Sequence, residues 1–164
     1  MENVALDRSR IAVCKIITFD PKYRAEFARL NYAWIEKYFA IESEDRKILD
    51  RPEEEIIAPG GQIFFAILDE RAVGTVALKV ETKEQWELTK MGVDAAHRGQ
   101  GYGQLLLDAA IGYARTAGVK RLVLSSHTSL VPAIAMYRAA GFVERDSCAA
   151  SCYSRCNIYL QKDL

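Results

Sequence analysis

The sequence predicts an α/β protein, a sandwich around a mixed sheet with helices on its faces. Three observations lead there. Tyr23, Phe27, Leu30, Trp34 and Tyr38 recur at spacings of four, four, three and four, which is one face of a helix. Residues 62–93 then change period and divide into three short apolar runs separated by turn signals, the pattern of an antiparallel meander. After them, helix-period stretches alternate with short apolar runs to the end of the chain.

Taken in order, residues 11–19 are β-branched and apolar enough for an opening strand. Asp20 suits an N-cap and Pro21 the first helical position, so a helix starts there. Its core face carries Trp34 and Tyr38, which are therefore expected to be mainly structural. Ser43 is the expected cap of a short second helix that runs through Leu49 and ends near Pro52. Pro59, Gly60 and Gly61 form a turn before a strand at 62–68. Asp69, Glu70 and Arg71 reverse the chain into strands at 73–81 and 86–93. A glycine-rich loop leads into a helix at 101–116, with Gly118 as its stop signal. A short buried strand at 121–125, a helix at 132–140 stopped by Gly141, and a last strand at 157–162 complete the order.

The 164 residues carry 22 basic and 22 acidic side chains, and half of the chain is hydrophobic. That length and composition suit one domain over residues 1–164, with its core at about 11–162. No apolar run approaches the ~18–20 residues needed to cross a bilayer. The opening residues lack the basic and then apolar regions of a secretory signal. The expectation is a cytoplasmic protein with neither a membrane nor a nucleic acid as partner, because no net basic charge is available to hold phosphates. Cys148, Cys152 and Cys156 recur every four residues, but no fourth Cys or His lies near them, and His97 and His127 are far upstream. Zinc normally takes four ligands, so no metal is expected and the thiols, with Cys14, read as reduced and unrelated.

Arg98, Gly99, Gln100, Gly101, Tyr102 and Gly103 lie between a predicted strand and a predicted helix. Glycines let a ligand approach the backbone closely, and the helix adds free N–H groups and the positive end of its dipole. Such a junction suits a phosphate or diphosphate; a simple tight turn is the alternative. No Lys-Ser/Thr pair follows, so this is not a Walker loop.

At this point the sequence resembles the GCN5-related N-acetyltransferase (GNAT) superfamily. Arg98, Gly101 and Gly103 match its Arg/Gln-x-x-Gly-x-Gly/Ala hallmark. Ala133, Met136, Tyr137, Gly141 and Phe142 are similar to its Ala-x-x-Leu-Tyr-x-x-x-Gly-Phe signature. The resemblance implies a mixed, mostly antiparallel sheet with a splayed central strand pair, and acetyl-CoA as acyl-donor cosubstrate. It implies that the amides of Arg98, Gly99, Gln100, Gly101, Tyr102, Gly103 and Gln104 wrap the CoA diphosphate. Met91, Gly92 and Val93 would pair with the pantetheine arm as with an added strand. Gly92 suits the bulge that splays this strand, or else is a packing glycine. Many members have an asparagine after the next strand; here Ser125, Ser126, His127, Thr128 and Ser129 stand there. His127 either contacts the cofactor arm in its place or is a solvated loop residue.

Acetyl transfer to an amine needs a base for the ammonium proton, a donor for the thioester oxygen and an acid for the leaving thiolate. Glu87, eleven residues before Arg98, matches the catalytic glutamate of the histone-acetylating branch and is the candidate base. Its alternative is an outward salt-bridge residue. If Glu87 faces the cleft, strand alternation puts Thr89 and Met91 on its side and Leu88 on the other. Tyr137 is the candidate acid, with a buried helix tyrosine as its alternative, and the backbone N–H near Met91 is the candidate oxyanion donor. The two limbs of the pH–rate profile are expected to belong to Glu87 and Tyr137. Aromatics at Tyr32, Trp34, Tyr38 and Phe39, with the acidic run Glu42 to Asp45, would suit a cationic amine, or are a core face and a solvated turn. The expected activity is therefore acetylation of a small-molecule or peptide amine by direct attack. Acetylation of protein lysines or N-termini, and acyl-CoA binding without turnover, are the competing readings. The chain could also pair as a homodimer.

Overall fold

The computed structural model describes residues 13–146 and 153–164. The opening strand β1 is Lys15–Thr18, shorter than the predicted run, whose first two residues lie outside the described ones. The Asp20 carboxylate accepts the Lys22 amide at 2.9 Å and starts a 3-10 turn at Pro21–Tyr23, which continues as α1, Arg24–Tyr38. α2 is Ser43–Asp50. Its cap is not Ser43 but Glu42, which accepts from the third helical residue while the Asp45 carboxylate accepts the Glu42 amide at 2.9 Å. That reciprocal pair satisfies two orphan donors where a serine would satisfy one. After Pro52 the chain makes a wide π turn, Glu53–Ile57, before the meander.

The meander strands are β2 Gln62–Leu68, β3 Arg71–Val80 and β4 Gln85–Val93. Asp69 and Glu70 both take positive φ, 49° and 61°, the conformation a two-residue hairpin turn demands. Next come α3 Tyr102–Thr116, β5 Arg121–Ser126 and α4 Val131–Ala139. The edge strand β6 Val143–Arg145, too short to carry a period, was not singled out by sequence; β7 is Ile158–Asp163. Among the described residues seven strands lie in the order β1-β2-β3-β4-β5-β7-β6, and only the β4–β5 pair is parallel.

Alternation along β2 sends Ile63, Phe65 and Ile67 to one face and Phe64 and Ala66 to the other. The first face packs against Phe27, Leu30 and Ile35 of α1 and Ile48 and Leu49 of α2. The second packs against Leu106, Leu107, Ala110 and Ala114 of α3, with Tyr137 and Phe142 beside them. Each fully buried Leu, Ile or Phe contributes about 1.5–3 kcal/mol, so the two layers together fix the sheet between the helices.

β4 carries an irregularity that governs the site. Thr75 pairs with Gly92 and Ala77 with Thr89, so Val76 faces two residues, Lys90 and Met91. This is a β-bulge, with Lys90 at φ 52°. The bulge therefore sits before Gly92, not at it, and it reverses the alternation of the strand. Lys90 turns to the α2 side, and Met91 packs into the α3 layer, away from the side of Glu87 it was expected to share.

Candidate active site

β4 and β5 pair only through Gln85↔Arg121, Trp86↔Leu122 and Glu87↔Val123. Beyond that point β4 stays on β3 as far as Val93, and β5 stays on β7 as far as Ser126. The two central strands therefore part, leaving one edge of β4 unpaired along residues 88–93. The gap opens a cleft of about 310 Å³, lined by both strands, by Tyr137 and Ala133 of α4, and by Trp34 from α1. Trp34 keeps the predicted face toward the sheet, but α1 runs over the gap at its C-terminal end. Trp34 consequently looks into the cleft, and Tyr38 is 48% exposed instead of joining the core. A Cβ on Gly92 would lie 2.8 Å from the Trp34 ring, so this glycine is what lets the indole sit down on β4.

At one mouth of the cleft lies the glycine loop. Gly101, at φ 89°, caps α3 without a side-chain hydrogen bond, so the first amides of the helix have no partner within it. Arg98 Nε donates to the Val93 carbonyl at 3.2 Å and ties the loop to the end of β4. Within 4 Å of where a Cβ would stand on Gly99 or Gly101 there is nothing, and on Gly103 there are only the Met136 and Met91 side chains, at 3.5 Å or more. Free amides, the positive end of a 15-residue helix and an open approach fit a diphosphate.

Glu87 faces the cleft on the α1 side. Burial raises its carboxyl from 4.5 to about 7; Glu81 and Glu44 add to this, and Lys79 and Lys90 oppose it. A carboxyl raised in this way is a stronger proton acceptor than an ordinary glutamate, a property that suits a general base. Tyr137 lies on the other side of β4, its hydroxyl 3.6 Å from the Met91 sulfur. Burial pushes that hydroxyl up to about 12, so it keeps its proton across the working range and cannot supply the expected alkaline limb. His127 accepts the Ser129 amide at Nδ1, 3.1 Å, and its ring packs edge-on against Phe39 at 5.3 Å. The proton of the neutral ring is thereby left on Nε2.

The most consequential group was not legible beforehand. Asp45, read as part of a solvated or amine-binding acidic run, is completely buried. It accepts from Lys90 Nζ at 3.0 Å and from both Arg155 Nη atoms at 2.7 Å. Burial works against its charge, but Arg155 and Lys90 overcome that and hold it at about 2. Lys90 Nζ also donates to the Tyr153 hydroxyl at 2.6 Å. Glu42 takes Arg155 at 3.3 Å and the Ser154 amide at 3.0 Å. The segment before β7 is thus strapped to the start of α2 across more than 100 residues of sequence. A lysine at an inward position of an alternating strand, between Leu88 and Gly92, was the one available signal, because such a charge demands a buried partner.

Cys156 lines the cleft, while Cys148 and Cys152 lie outside the described residues. Among the described residues no group of three His, Cys, Asp or Glu side chains is arranged to hold a metal ion, and no helix is long and apolar enough to cross a membrane.

Comparison with known proteins agrees with this geometry. N-acetyltransferase 8B of Rattus norvegicus is 33% identical over 88 residues, covering 51% of this chain and 40% of that protein. The mycothiol acetyltransferase of Corynebacterium glutamicum (strain R) is 30% identical over 85 residues, covering 52% of this chain and 29% of that protein. The chain thus spans well under half the length of these curated relatives. The crystal structure of an acetyltransferase of the GNAT family from Staphylococcus aureus Mu50 superposes with a TM-score of 0.83 at 23% identity, over 92% of this chain and 99% of that one. The PaiA N-acetyltransferase from Thermoplasma acidophilum, in complex with coenzyme A, gives 0.71 at 17% identity, over 93% and 99%. These structures share the fold. The match to the acetyltransferase (GNAT) family itself runs from residue 26 to residue 142, most of the chain, and this protein belongs to that family.

Proposed function

We propose that the chain is an acetyl-CoA-dependent N-acetyltransferase that acetylates a small primary amine by direct attack. The observation that carries this reading is Glu87, a cleft-facing carboxylate raised by burial to about 7, beside a β4 edge that β5 has left open. When bound, acetyl-CoA supplies an acetyl group activated as a thioester. The amides of Arg98, Gly99, Gln100, Gly101, Tyr102, Gly103 and Gln104 hold its diphosphate. The backbone of Met91, Gly92 and Val93 holds the arm in the manner of an added strand. His127 stands across the gap from them, on the β5 side.

Glu87 takes the amine proton as the N–C bond forms and the C–S bond of the thioester breaks. The Met91 amide, next to the bulge, donates to the carbonyl oxygen as it gains charge. Tyr137 then gives its proton to the departing sulfur. No cysteine is needed, since a thiol nucleophile would require its own base. The strap from Ser154 and Arg155 to Glu42 and Asp45 fixes one border of the acceptor side, and the cleft of about 310 Å³ suits a small amine. Thiol release measured with a panel of amines tests the reading. Amine-stimulated release of CoA is expected, and CoA binding with no stimulated release by any amine would replace this reading with that of a binding module.

A further inference from the structure

The acceptor side of the cleft was expected to offer carboxylates and ring faces to a cation. Both are already occupied by the protein's own cations. Asp45 and Glu42 are paired with Lys90 and Arg155. The Arg155 guanidinium carbon stands 4.4 Å from the Tyr153 ring centre and 5.9 Å from those of Trp34 and Phe39, and Lys90 Nζ stands 4.2 Å from Tyr153. An incoming ammonium therefore finds Glu87 and no other unmatched carboxylate among the described residues lining the cleft.

Donors, by contrast, are in surplus. A guanidinium has five N–H groups. Arg155 uses both on Nη1, toward Glu42 and Asp45, and one on Nη2, toward Asp45. The ammonium of Lys90 uses two of its three, toward Asp45 and Tyr153. The strap thus uses three N–H groups of Arg155 and two of Lys90, and leaves capacity on both cations for a further acceptor. Both residues line the cleft that Glu87 faces, where a ligand's acceptor oxygens could use that capacity.

We propose that the acceptor is an amine that also carries a carboxylate, held by Arg155 and Lys90 while Glu87 takes the proton from its amino group. This rests on the acetyltransferase reading and narrows it to amino acids and related amino-carboxylates. Diamines and polyamines are disfavoured, because the carboxylates of Asp45 and Glu42 are already taken and no acceptor is left for a second ammonium.

Matched pairs test it: α-, β- and γ-amino acids, each against its amide, with 1,4-diaminobutane as the dication. For at least one spacing, kcat/KM for the free acid is expected to exceed that for the amide about 10- to 100-fold, the range for hydrogen bonds to charged groups. Arg155→Met is expected to raise KM for the acid and bring the ratio close to one, with Arg155→Lys in between. Amides or the diamine outpacing every acid would overturn the proposal, as would equal losses on acid and amide in a folded Arg155→Met. Calorimetry with the N-acetyl derivatives of the same acids and amides decides the point without turnover and without relying on a variant that folds. Tighter binding of the acid at any one spacing supports the carboxylate site, and equal affinity at every spacing refutes it. Absence of amine-stimulated thiol release would then count against the acetyltransferase reading alone.

Discussion

Replacing Glu87 by glutamine perturbs stability and catalysis through the same buried carboxyl, and the two effects have opposite signs. The group is raised from 4.5 to about 7, mainly by burial, with Glu81 and Glu44 adding and Lys79 and Lys90 opposing. Because the folded protein binds this proton more tightly than the unfolded chain, the stabilisation is complete below about pH 4.5. It is lost as pH rises through about 7. At about 1.36 kcal/mol for each tenfold in proton affinity, the loss is about 3 kcal/mol. For a chain of this size that is roughly 6–12 °C in Tm. Glu87→Gln keeps a neutral side chain at every pH, so it should melt well above the parent at pH 8.5 and lose most of that advantage at pH 5. Its kcat should fall about 10²–10⁴-fold, and the acidic limb near pH 7 should vanish. Amines of low pKa, which arrive partly deprotonated, should recover much of the rate. Circular dichroism melts at the two pH values and a pH–rate profile by thiol detection give both readouts. An unmoved acidic limb, together with a Tm difference that is the same at pH 5 and pH 8.5, would refute both the base assignment and its physical origin.

Gly103→Val adds bulk where only Met136 and Met91 approach, so CoA affinity by calorimetry should drop at least tenfold while the melting temperature changes little. Gly101→Ala forces a Cβ onto a φ of 89° and should instead cost about 1 kcal/mol of stability, read in urea unfolding. Tyr137→Phe should lower kcat by less than Glu87→Gln and leave the alkaline limb where it was, because the parent hydroxyl does not ionise below about pH 12; a limb that moves would reassign it. Asp45→Asn leaves two buried cations without their shared anion and should cost about 3–5 kcal/mol, and a loss under 1 kcal/mol would mean the strap is not structural.

The meander was readable because β2 is bounded by a glycine turn and a hairpin turn, so the predicted and observed limits of that strand coincide. The glycine loop and Tyr137 were readable because each lies within a short local pattern. The acceptor side was not. Asp45 and Arg155 are 110 residues apart, and each alone has the composition of a solvated surface. Nor does a bulge built on a lysine announce itself, since a positive φ normally selects glycine or asparagine; here the Asp45 pair and the Tyr153 hydroxyl hold Lys90 in place. The change of face at Met91 follows from that one inserted residue.

The parting of β4 from β5 has a consequence beyond catalysis. An unpaired backbone edge is usually found at the rim of a sheet, where it invites other chains, and proteins shield it with charges, bulges or covering elements. Here such an edge lies at the centre of the sheet, beneath the indole of Trp34 and beside a lysine bulge. The occupant proposed for it is the narrow arm of acetyl-CoA. With the proposed cosubstrate arm on that edge, mass action at 100 times Kd would add about 2.7 kcal/mol to the stability of the folded chain. The amount of folded protein a cell retains would then follow the supply of the compound that fills that edge.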